Sequence, residues 1–94
     1  MNITVTVQIG NSDNKLSQED WAKFCNRIYQ VILAWKEEIF FSAPSVGWSD
    51  WQNACFVFSI NMDNKRYLRS ELEEIRKAFL QDSVAWTEGA TEFI

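Results

Sequence analysis

Ninety-four residues with 47% hydrophobic content describe one small domain and exclude a disordered chain. A net charge of −4, from 13 acidic and 9 basic side chains, gives none of the basic excess typical of nucleic-acid binders and is too mixed in sign for a DNA mimic. There is no His for general acid–base work at neutral pH, and the two Cys lack metal-type spacing, so neither a cofactor nor a metal is expected.

In chain order, Ile3-Thr4-Val5-Thr6-Val7-Gln8-Ile9 alternates and predicts a strand with Ile3, Val5, Val7 and Ile9 toward a core. Gly10 to Lys15 is a polar loop. Ser17 is a good N-cap for a first helix, with Asp20 three residues on and Leu16 and Trp21 placed as a hydrophobic staple. Trp21, Phe24, Cys25, Ile28, Ile32 and Trp35 recur at helical spacing, and the helix should end near Lys36. Apolar runs such as Val31–Trp35 fall far short of the ~20 residues a membrane span needs. No leader-like segment opens the chain, so a cytoplasmic location and no membrane partner are expected.

Glu38–Ala43 and Ala54–Ile60 predict the second and third strands. In the third, Phe56, Phe58 and Ile60 point one way and Cys55, Val57 and Ser59 the other, as in a central strand with helices on one side only. A hairpin turning at Ser49-Asp50 pairs Trp48 with Trp51, Ala43 with Phe56, Phe41 with Phe58 and Ile39 with Ile60, which gathers the bulky residues on one face. Pro44 then requires an edge strand. Asp63 or Asn64 caps a second helix, which carries Leu68, Leu72, Ile75 and Phe79 as its apolar stripe and ends about Gln81. Glu71, Glu73 and Glu74 read as its solvated face. Ser83–Thr87 is a short fourth strand broken by Gly89, and Phe93-Ile94 either pairs once more or packs as a tail.

The order β-α-β-β-α-β is the ferredoxin-like pattern, an α+β fold. Right-handed crossovers set four antiparallel strands in the order 4-1-3-2, with two helices on one face, as a single domain over 1–94. Three uses of this fold fail residue by residue. Acylphosphatases are similar in length and strand order, but the Gly10–Lys15 loop has no Arg for phosphate. RNA-recognition domains place aromatics on the central strands, where this chain has Thr4, Thr6, Cys55, Val57 and Ser59. Cas2-like nucleases carry an Asp at the end of the first strand, where this chain has Ile9-Gly10-Asn11.

The open sheet face is the informative surface. The assumed register puts Phe40, Ser42, Pro44, Val46 and Trp48 there, opposite Trp51, Asn53, Cys55, Val57 and Ser59. The candidate binding residues are therefore Trp48, Trp51, Phe40, Val46, Val57 and Cys55. This points to a small acidic non-enzymatic protein-interaction module. It would be an inhibitor or adaptor of the sort phages and other mobile elements encode, docking through the open face and the Trp-bearing hairpin onto a second copy or another protein. The alternative is a small-molecule-binding or sequestering domain with its ligand on that face or at a dimer interface. Lys65, Arg66 and Arg69 form a basic helix start that opposes the helix dipole, a faint sign of an anionic partner. Cys25 and Cys55 fall on opposite sides of the sheet and should stay free thiols.

Overall fold

The alternating stretch near the N-terminus forms β1 (Asn2–Gly10), a central strand of the sheet. The computed structural model describes residues 1–45 and 52–94. β1 pairs antiparallel with β3 (Asn53–Asn61) on one side and with β4 (Ala85–Gly89) on the other, while β2 (Glu38–Pro44) borders β3. The order β2-β3-β1-β4 is the expected 4-1-3-2 read from the other end, and Pro44 lies on an edge strand.

Helix α1 (Gln18–Trp35) starts where Ser17 Oγ accepts a hydrogen bond from the Asp20 amide at 3.2 Å and stops at Lys36. Helix α2 (Lys65–Ala78) has Asn64 at its N-cap position, as expected, but the Asn64 side chain makes no capping hydrogen bond. Asn61 accepts from the Asp63 amide at 2.9 Å and caps a 3-10 turn, Met62–Asn64, which runs into α2. It also ends three residues early. The Gln81 amide bonds the Arg76 carbonyl and the Leu80 amide bonds that of Lys77, a Schellman closure. Leu80 takes the left-handed position there (φ 56°), which costs a non-glycine residue about 1 kcal/mol.

Phe24, Ile28 and Ile32 of α1 and Leu68, Leu72 and Ile75 of α2 enter one core with Val5, Val7, Phe58 and Ile60 of the sheet. Each such side chain, fully buried, contributes about 1.5–3 kcal/mol. The pairs Val5–Phe58 and Val7–Phe56 fix the core face, so Thr4, Thr6, Gln8, Cys55, Val57 and Ser59 face away from the helices. Trp21 is buried as expected, whereas Trp35 and Trp86 are only partly buried at the margins of the core.

The β2 register differs from the assumed hairpin. Ile39 opposes Phe58, then a bulge intervenes, and Phe41 opposes Val57, Ser42 opposes Phe56 and Ala43 opposes Cys55. A bulge adds one residue to one strand, and the side chains after it change face. Phe41 therefore leaves the core for the open face, while Ser42 and Pro44, expected on the open face, turn toward the helices.

Candidate functional site

The open face is built by pairing. Phe41 and Ala43 of β2 lie beside Val57 and Cys55 of β3, which in turn lie beside Thr6 and Gln8 of β1. Its β2–β3 half is apolar and its β1–β4 half polar, with Thr87 of β4 opposite Thr6. The chain after β4 crosses this face. Thr91 and Thr4 share a hydroxyl–hydroxyl hydrogen bond, and the Phe93 ring meets Phe40, at the bulge, edge-on with centroids 6.0 Å apart. Even so, Phe41 is 52% exposed, Phe93 79% and Ile94 fully.

Of the sequence-predicted site, Phe40, Val57 and Cys55 come together here, with Val57 and Cys55 half-buried. Val46, Trp48 and Trp51 lie outside the described residues. The sequence reading missed Phe41, because the bulge was not legible, and it left open whether Phe93 paired or packed as a tail. The apolar pair Phe93-Ile94 was the available signal for the tail.

Two grooves lie on the helix side. One, of about 430 Å³, runs between α1 and β2 and is lined by Trp21, Cys25, Tyr29, Pro44 and Phe56 among others. Tyr29 stacks on Phe56 with centroids 5.9 Å apart. Burial pushes the Cys25 thiol up to about 11, against an ordinary 9.0. Both thiols are free, and Cys25 and Cys55 lie on opposite sides of the sheet as expected. Above pH 9 the thiol ionises first in the unfolded chain, so its contribution to stability holds below that pH and fades up to about pH 11. Solvent around the half-exposed group damps the effect. The melting temperature of the unmodified chain should thus fall more steeply between pH 9 and 11 than that of Cys25→Ala, and equal slopes would contradict the assignment.

The other groove, about 640 Å³, separates α2 from β4 and is lined by Lys65, Arg66, Arg69, Arg76, Trp86 and Val84 among others. Glu71 departs from the sequence reading of a solvated acidic face: it accepts a hydrogen bond from Trp35 Nε1. Glu73 pairs with Lys77, one turn further along α2, at 3.3 Å. No helix among the described residues is long and apolar enough to cross a membrane.

No protein-family model matches the sequence, and no curated protein matches it. Solved structures do match in shape. The chain is similar to the de novo designed protein Foldit4, with a TM-score of 0.65 at 12% identity, over 98% of this chain and 100% of that one. It is also similar to a dimeric ferredoxin-like protein of unknown function from Bacteroides fragilis, with a TM-score of 0.60 at 12% identity, over 96% of each chain. A third, from Thermobifida fusca and likewise described as a dimeric ferredoxin-like protein of unknown function, gives 0.61 at 9% identity, over 96% of this chain and 92% of that one. At these identities the likeness establishes the fold alone: this chain is a ferredoxin-like α+β domain.

Proposed function

We propose that the chain is a non-enzymatic protein-interaction module, an inhibitor or adaptor, that works through the open face of its sheet, and that a second copy covers this face. The carrying observation is the joined apolar surface of Phe40, Phe41, Val57, Cys55 and Phe93, with Phe41 more than half exposed beside Val57. Soluble monomers rarely leave such a patch uncovered. The bacterial neighbours described as dimeric support the choice of a second copy.

The size of the face sets the expected strength. Strands of 9, 7, 9 and 5 residues, ~4.8 Å apart and rising ~3.4 Å per residue, give a flat area of roughly 500 Å² per copy. A standard interface uses ~800 Å² per partner, so a modest, concentration-dependent dimer follows.

Native mass spectrometry and sedimentation at two concentrations test this. A bare dimer is expected, and Phe41→Asp should shift it to monomer with little change in melting temperature, because Phe41 lies outside the core. A monomer at both concentrations, or a dimer indifferent to Phe41→Asp, would remove the second copy from this face. A mass increment above the chain would instead favour a small ligand, held on the open face or at the dimer interface, or else on the helix side in the apolar groove of about 430 Å³ between α1 and β2.

A further inference from the structure

Four of the chain's nine basic side chains, Lys65, Arg66, Arg69 and Arg76, line the groove between α2 and β4 with Asp63 and Glu73; Glu73 pairs with Arg76, and Glu88 of β4 pairs with Lys65. In a chain of net charge −4 this is a concentrated reversal of sign. The groove runs along the outer edge of the sheet. β4 pairs with β1 alone, and among the described residues no strand occupies its other side. Free backbone donors and acceptors therefore lie next to a basic wall.

The wall and the strand are in step. Lys65 meets Glu88 at 2.7 Å, and the Arg69 guanidinium lies over the Trp86 ring, 5.4 Å from its centroid, so α2 runs antiparallel to β4. One helical turn from Lys65 to Arg69 advances about 6 Å. Two residues of an extended strand advance about 6.6 Å. Two alternate side chains of a strand laid beside β4 would thus meet Lys65 and Arg69, while the next turn of α2 brings the acidic Glu73, so the match covers this one turn.

Two further details favour carboxylates as those side chains. Arg66 lies over the Tyr67 ring, 4.8 Å from its centroid, and Arg69 over Trp86. A guanidinium stacked on a ring keeps N–H donors at its edge for a carboxylate. Glu88 already shows the arrangement: this helix-facing strand carboxylate accepts from Lys65 Nζ at 2.7 Å and Trp86 Nε1 at 2.8 Å. Those two bonds, with Lys65 first, hold its carboxyl below the usual range.

We propose that this groove docks an extended acidic segment of a partner protein, which adds as a fifth strand to the free edge of β4 and presents a pair of alternate carboxylates to the turn of α2 that carries Lys65, Arg66 and Arg69. This is strand addition, with backbone bonds supplying affinity and the basic wall supplying selectivity. An apolar segment would gain the backbone bonds but leave the wall unmatched, which keeps the edge from indiscriminate pairing. The site lies across the sheet from the open face and does not depend on what covers that face.

The test uses a labelled short peptide of alternating Glu and Val, a block peptide of the same composition, and the alternating peptide N-methylated on the amides of one edge. Fluorescence anisotropy should show the alternating peptide binding about tenfold or more tighter than either control. Arg69→Gln should weaken it by a similar factor at an unchanged melting temperature. Equal binding of alternating and block peptides, or no binding at millimolar peptide, overturns the proposal. Binding that survives N-methylation and is displaced by inorganic phosphate would assign the groove to small anions instead. Self-association lost in Arg69→Gln and unaffected by the peptide would assign it to a second copy. Both of these outcomes also overturn it.

Discussion

Phe58→Ala is expected to destabilise the domain by about 3–5 kcal/mol, the range for an aromatic removed from a closed core. Phe58 is fully buried, opposite Val5 on β1 and Ile39 on β2, with both helices contributing to the core around it. A domain of this length has roughly 5–14 kcal/mol in total, so the loss is about a fifth or more of its stability. At ~4–8 °C per kcal/mol, the melting temperature should fall by at least about 12 °C. Phe56→Ala, two residues earlier on the same face, should cost less, about 2 kcal/mol, because a partly open site leaves a less complete cavity. Phe56 borders the groove between α1 and β2, and its stacking partner Tyr29 is itself half-exposed. Urea denaturation of the two variants decides the order. A Phe56→Ala loss equal to or larger than that of Phe58→Ala would place the centre of the core elsewhere.

The same strand shows what local patterns disclose. Alternation in β1 and β3 determines which residues face the helices, and Phe56, Phe58 and Ile60 lie where their parity puts them. Ser17 caps α1 as its chemistry requires. The β2 register was not legible, because Phe40-Phe41 satisfies either face and only tertiary packing selects the bulge between Ile39 and Phe41. For the same reason the β2 part of the open-face set changed: Phe41 and Ala43 entered it and Ser42 and Pro44 left it, while Phe40 and, on β3, Asn53, Cys55, Val57 and Ser59 stayed. The groove beside β4 was visible only as a basic run on a helix. Its partners are distant in sequence, Glu88 for Lys65 and Trp86 for Arg69, and no local periodicity connects them.

The two surfaces sit on opposite sides of one sheet. The open face belongs to the parity of Cys55, Val57, Thr4 and Thr6, and the basic groove to that of Trp86 and Glu88. A dimer through the first therefore leaves the second accessible. Two acidic segments could bind one dimer at once, and linked segments would gain avidity without new contacts if their linker spans the two grooves.

Asn11→Asp is the smallest change with a large expected effect, because it alters one atom in a buried, saturated polar site. Asn11 is 5% exposed. Its Nδ2 donates to the Leu16 carbonyl at 2.9 Å and to Gln52 Oε1 at 2.8 Å, and its Oδ1 accepts from the Leu16 amide at 2.9 Å. The Asn11 amide also donates to the Gln52 carbonyl at 2.9 Å, and Gln52 Nε2 donates to Gln18 Oε1 at 2.8 Å. One side chain thus ties the loop after β1 to the approach to β3 and the start of α1. When ionised, the introduced carboxylate keeps the bond from the Leu16 amide but sets its second oxygen against two acceptors. When protonated, it can donate to one of them. Burial and the facing acceptors both disfavour the charge, so the folded-state pKa of the new group lies above its unfolded one. The variant then binds more protons folded than unfolded, and its stability must rise as pH falls toward the unfolded value. Near neutral pH the loss should be about 3 kcal/mol or more, the scale of an unmatched buried polar group carrying charge. Asn11→Ala should lose about 2 kcal/mol with no such pH dependence. Denaturation of both variants at pH 7 and pH 5 checks the pair: parallel losses at the two pH values would mean that the site opens to water and does not clamp the loop.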